Sequence, residues 1–146
     1  IVRGTQLGKQ AEKLYAEGCL ETHMRIACPP LLYPCHFINF SRSRSAYDLI
    51  TRRYIRGHEG ENADIAAYAD PQSAAYRGMV DYIRRKLNLT SLEFQTVDDL
   101  VQAIGLPKDR LCTYCWTGED VSMPGSCGGG CAACPHACPV SAKKQG

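Results

Sequence analysis

With 146 residues, 45% hydrophobic and 22% charged, the chain has the ordinary make-up of one modest globular core. A formal net charge of +2 excludes a strongly electrostatic partner such as a nucleic-acid backbone. No apolar run approaches the roughly 20 residues of a membrane helix, and no charged-then-apolar leader opens the chain, so a cytoplasmic protein without a membrane partner is expected.

The chain opens with Ile1-Val2-Arg3-Gly4-Thr5-Gln6, a strand end or loop, and starts without Met, so we expect a piece of something larger. Leu7, Ala11, Leu14 and Tyr15 then share one helical face, and Gly18 stands where that helix should stop. By itself Arg-Gly-Thr before a helix is an ordinary N-cap. It is also a place where unpaired N–H groups and the positive end of the helix dipole suit a phosphate, with Gly4 allowing close approach and Thr5 adding a hydroxyl.

Leu20, Thr22, Met24 and Ile26 alternate with Glu21, His23 and Arg25, which predicts a strand with one buried face and a solvated His23. A helix leading into a strand suggests a βαβ unit and a parallel sheet. Cys28-Pro29-Pro30 ends the strand, and Leu31-Leu32-Tyr33-Pro34 leads to Cys35 on a rigid loop. The residues alone leave Cys35 open between a metal ligand and a small buried apolar side chain.

Arg42, Arg44, Arg52, Arg53 and Arg56 form the basic cluster of the chain. Without interleaved aromatic platforms, and with Glu59 and Glu61 following, it reads as a solvated face rather than a nucleic-acid surface. Residues 45–56 show a helical pattern, and 57–69 read as a polar loop or short helical insertion. Asp70-Pro71 predicts a helix start, with Asp70 as cap and Pro71 at the first position. Ala75, Tyr76, Met79, Val80, Ile83 and Leu87 form its core stripe. Leu92 and Phe94 mark a short strand. Thr96 with Asp99 resembles a capping box, and Val97, Leu100, Val101 and Ile104 should be the buried face of the helix that Gly105 and Pro107 end.

The helix delivers Leu111-Cys112-Thr113-Tyr114-Cys115-Trp116-Thr117-Gly118. Two thiolates in Cys-x-x-Cys spacing reach one metal centre from a single turn, and Cys112 and Cys115 are half of such a site. Nine cysteines, an odd number without a secretory cue, favour metal over a disulfide framework. Residues 119–146 change character, rich in Gly, Pro, Ala and Cys. There Cys127, Cys131, Cys134 and Cys138 are separated by three, two and three residues, with Pro139 following. The bacterial ferredoxin run has gaps of about two, two and three, so the segment reads either as a mobile thiol-rich tail or as a second metal site.

Three stretches, Ile1-Val2-Arg3-Gly4-Thr5, Pro29-Pro30 through Cys35, and Cys112 through Gly118, resemble in this order the C-terminal part of the amidophosphoribosyltransferases. The likeness is to the iron–sulfur branch of that family. Gln6 stands where the family's phosphoribosyl pyrophosphate motif has a second Thr. The resemblance implies an α/β chain. Residues 1–40 would end a type I phosphoribosyltransferase parallel-sheet domain, 41–118 would form a cluster-ligating segment, and 119–146 an irregular tail. It implies that Arg3, Gly4 and Thr5 hold the substrate's 5′-phosphate. It also implies that Cys35, Cys112 and Cys115 are three of four ligands to a 4Fe–4S cluster, the fourth lying upstream. Mg²⁺, mostly bound upstream, would serve the pyrophosphate.

The implied whole enzyme makes 5-phosphoribosylamine from glutamine-derived ammonia and phosphoribosyl pyrophosphate, the first step of de novo purine synthesis. Purine nucleotides would be inhibitors and the intact protein a homo-oligomer. The glutaminase domain and the acidic pair of the motif are absent from this sequence, so the chain alone should hold no catalytic residue and no turnover. Departures are an insertion around residues 54–70 and the cysteine tail. The rival is a non-enzymatic zinc or iron–sulfur module centred on the tail cysteines.

Overall fold

The computed structural model describes residues 1–35 and 48–119. Helix α1, Thr5–Ala16, packs Ala11 into the core. Its end is a Schellman turn: Gly18 lies at φ 92°, its N–H donates to the Tyr15 carbonyl, and the Cys19 N–H donates to the Leu14 carbonyl. Strand β1, His23–Ile26, follows. Helix α2, Ile50–Glu59, returns across the molecule, and a 3₁₀ turn at Ile65–Tyr68 precedes helix α3, Ala74–Lys86. Strand β2, Ser91–Phe94, pairs in parallel with β1, from His23 beside Ser91 to Ile26 beside Phe94. Helix α4, Val97–Ile104, and the single-turn helix α5, Tyr114–Thr117, complete the order.

The architecture is therefore mixed α/β with a two-stranded parallel sheet among the described residues. Parallel strands need a crossover, and α2 and α3 supply it. The core lies where these helices meet the sheet, built from Leu32, Ile50, Ile55, Tyr68, Met79, Ile83, Leu87, Leu89 and Leu92. Asn88, at φ 53°, takes the left-handed position after α3, and the Leu89 N–H closes the turn onto the Arg84 carbonyl. This turns the chain straight into β2.

Several expectations need correction. The first strand is shorter than the alternation suggested, and Leu20, expected on its buried face, is 91% exposed. Helix α2 runs on to Glu59, into the stretch read as a polar loop or short helical insertion, which also holds the 3₁₀ turn, and its Tyr68 is buried. The phenol meets the core because its hydroxyl donates to the Glu59 carboxylate, so no polar atom is stranded. Burial pushes the Tyr68 hydroxyl above its ordinary range, and that carboxylate adds to the effect.

Helix α3 begins at Ala74, not at Pro71. Ser73 is the cap, its hydroxyl accepting from the Tyr76 N–H at 3.0 Å. Asp70 instead closes a preceding turn by accepting from the Gln72 N–H at 2.9 Å. The α4 cap is as read, with Thr96 accepting from the Asp99 N–H. Yet no α4 residue is fully buried, and Ile104 is 48% exposed. Arg42, Arg44, Tyr47 and the cysteines at 127, 131, 134 and 138 lie outside the described residues. Among the described residues no helix is long and apolar enough to cross a membrane.

Candidate functional site

Gly4 caps α1 at φ 77° and ψ −8°, a left-handed conformation that a side chain strains. A Cβ there would also stand 2.8 Å from Ile50 Cδ1 and 3.0 Å from Leu87 Cδ2. The backbone thus calls for glycine, and a side chain there would also press on the ends of Ile50 and Leu87. Among the described residues no side chain caps the helix, and no acidic residue stands in its first turn. The first N–H groups of a helix have no intrahelical partner, and its dipole makes this end positive. Residues 1–7 line an open cavity of about 490 Å³ beside this helix end.

The first turn of α2 fastens the loop. The Ile50 N–H donates to the Val2 carbonyl at 2.9 Å, and Arg53 Nη2 donates to the Arg3 carbonyl at 3.0 Å. Arg3 pairs with Asp48 at 3.4 Å, in an exposed geometry worth only about 0.2–1 kcal/mol. The Arg3 side chain therefore contributes to holding the loop. Asp48 and Arg53 carried no sequence signal for this site, since their partners lie some 45 to 50 residues away.

The second region joins the loop of Cys35 to the turn of Cys112 and Cys115. The Leu32 and Tyr33 N–H groups both donate to the Cys115 carbonyl, at 2.9 and 3.0 Å. Tyr33 and Tyr114 rings lie 5.7 Å apart. A Cβ on Gly118, itself at φ 76°, would meet the Tyr33 ring at 2.6 Å. The loop is anchored from below by Thr51, buried on α2, whose hydroxyl donates to the Leu31 carbonyl.

The Cys35 and Cys112 side chains are near enough to Cys115 to perturb its thiol; Cys35 and Cys115 are half-buried and Cys112 is exposed. Burial pushes the Cys115 thiol up to about 12, and its bond to Cys35 and the neighbouring Cys35 and Cys112 charges add to this. Among the described residues no group of three His, Cys, Asp or Glu forms a metal-holding set, so Cys35, Cys112 and Cys115 are not gathered into one in this structure. The donor chemistry nonetheless suits a thiophilic centre, with thiols on two stapled segments; Trp116, next in sequence to Cys115, has a buried Nε1 with no hydrogen-bond partner among the described residues. An unsatisfied buried donor costs about 1–3 kcal/mol and calls for an acceptor. Cys19 and Cys28 also form no disulfide, and Cys19 donates to the Glu21 carbonyl.

A glycine loop at a helix N-terminus, in a chain that also carries parallel strands, is an arrangement found in α/β proteins that hold phosphate. The relatives of this chain are narrower than that class. It is 29% identical over 119 residues to the amidophosphoribosyltransferase of Methanothermobacter thermautotrophicus, covering 82% of this chain and 20% of that protein. It is 29% identical over 120 residues to the amidophosphoribosyltransferase of Mycobacterium tuberculosis, covering 82% of this chain and 19% of that protein. The enzyme of the same name from Drosophila melanogaster is 30% identical over 129 residues, with 82% of this chain and 19% of the relative covered. No protein-family model matches. The resemblance to amidophosphoribosyltransferases therefore holds over most of this chain, which spans about a fifth of the length of these relatives.

Proposed function

We propose that this chain is the C-terminal part of an iron–sulfur amidophosphoribosyltransferase, a cytoplasmic glycosyltransferase of purine synthesis. The carrying observation is the similarity over 82% of the chain, with its opening residues forming a glycine-capped helix start over an open cavity. In the whole enzyme, ammonia from glutamine attacks the anomeric carbon of phosphoribosyl pyrophosphate as the bond to pyrophosphate breaks, giving 5-phosphoribosylamine. Bound Mg²⁺ supplies neutralisation of the pyrophosphate charge.

This chain's own part is positioning. The uncapped N–H groups at the start of α1 and the Thr5 hydroxyl receive the 5′-phosphate, and Gly4 keeps the approach open. Holding that phosphate fixes the ribose for attack, which lowers the barrier through orientation rather than proton transfer. Arg3 serves the loop through Asp48. Cys35, Cys112 and Cys115 would hold the 4Fe–4S cluster, with a further ligand from elsewhere. The cluster would tie the loop after β1 to the turn after α4 and would act structurally.

Purine nucleotides as inhibitors and assembly into a homo-oligomer belong to the same reading. The chain alone should form no phosphoribosylamine from ammonia, Mg²⁺ and phosphoribosyl pyrophosphate, and product in that assay would sink the inactivity. Anaerobic reconstitution tests the cluster: iron and sulfide are counted in the chain and in Cys35→Ser, Cys112→Ser and Cys115→Ser. Each change is expected to lower both counts. Full counts in all three variants, lost only on removing residues 119–146, would hand the metal to the tail.

A further inference from the structure

We infer that Arg53 is a positioning residue for the loop Val2–Gly4, holding its backbone in the shape that receives an anion without touching that anion. This rests on the phosphate reading above for its purpose, but on separate geometry for its substance. Arg53 Nη2 donates to two carbonyls at once, Arg3 O at 3.0 Å and Asp48 O at 3.3 Å. It thereby ties the chain's opening segment to Asp48, two residues before α2 begins. The Ile50 N–H on the Val2 carbonyl is a second tie, one residue earlier in the loop.

The position of the Arg53 bond is what gives it consequence. The described peptide bonds are all trans, and a trans peptide is planar with its C=O and N–H pointing in opposite directions. Fastening the Arg3 carbonyl toward α2 therefore turns the Gly4 N–H away from α2. Gly4 is the one residue of the loop with free access to positive φ. Without a hold on the preceding carbonyl, this peptide plane is the part of the loop most able to flip. The left-handed Gly4 that starts α1 would then be one conformer among several, and binding an anion would first require selecting it.

Arg53→Met keeps the apolar stem and removes the donors. Amide exchange across residues 2–7 is measured in the chain and the variant, together with the affinity for ribose 5-phosphate. Exchange in the loop is expected to rise while the thermal midpoint stays put, and affinity to fall roughly tenfold. Because the bonds go to carbonyls, that fall should be of equal size in about 50 mM and about 500 mM salt. A loss that vanishes at high salt would show a direct charge on the phosphate and overturn the positioning role, as would unchanged loop exchange. If the unaltered chain fails to bind ribose 5-phosphate, the phosphate reading falls, and loop exchange alone then decides the role of Arg53. Arg53→Lys serves as a second variant, with smaller changes in the same direction.

Discussion

Gly4 shows how much one missing side chain decides. Its φ of 77° costs any L-residue about 1–2 kcal/mol, and a Cβ would press on Ile50 and Leu87, both core residues. The clash is with the ends of flexible side chains, so repacking relieves part of it and the backbone cost is the firmer share. Gly4→Ala is therefore expected to lower stability by about 1–3 kcal/mol in urea unfolding. A change within about 0.5 kcal/mol would refute the strain. His23 illustrates the opposite case. It is exposed, and its two ring nitrogens meet Ser91 and Glu21 at 2.9 Å, which makes it a surface bridge between the strands.

At the scale of elements, α3 carries the clearest tests. Ser73 satisfies the Tyr76 N–H, so Ser73→Ala is expected to cost about 1 kcal/mol in thermal or urea unfolding. If Asp70 were the cap, Asp70→Ala would cost more than Ser73→Ala, and that ordering would reverse the assignment. Further along, Asp81 receives Arg84 at 2.9 Å and Arg85 at 3.0 Å. The Arg84 hydrogen bonds, with both guanidinium charges, hold its carboxyl below the usual carboxylate range. A depressed folded-state value means stability present above about pH 4 and lost as pH falls through the folded value. The unaltered chain should thus be more stable than Asp81→Asn at pH 7, and the gap should close in acid. A gap that stays constant across that range would remove the charge from the explanation. Helix α4 differs from α3 in burying nothing completely, though its cap is as good. Capping and amphipathic spacing form a helix without specifying what covers it.

Across the whole molecule, two staples join distant segments. Thr51 holds the loop after β1 to α2, and the Cys115 carbonyl holds the same loop to α5. Gly118 permits the second staple, because a Cβ at that position would collide with the Tyr33 ring. Gly118→Ala is expected to lower stability by about 1–3 kcal/mol and to speed amide exchange at Leu32 and Tyr33. Exchange there equal to that of the unaltered chain would show that the staple tolerates the methyl group.

Where a pattern repeats along the chain within one or two turns, the residues themselves sufficed. The α1 face through Ala11, the Gly18 stop, the α3 stripe and the Thr96 cap all express contacts three or four residues apart. The loop that runs into α1 at Gly4 and the turn that carries Cys112 and Cys115 were equally legible as local geometry, because each is confined to a few neighbours. What required the folded molecule was every pairing across distance. The parallel register of β1 on β2, the burial of Tyr68, the exposure of Leu20 and the hold of Arg53 on the Arg3 carbonyl are of this kind. Such contacts depend on how helices and strands are set against one another, and that placement follows from packing all the apolar faces together, which no local spacing records.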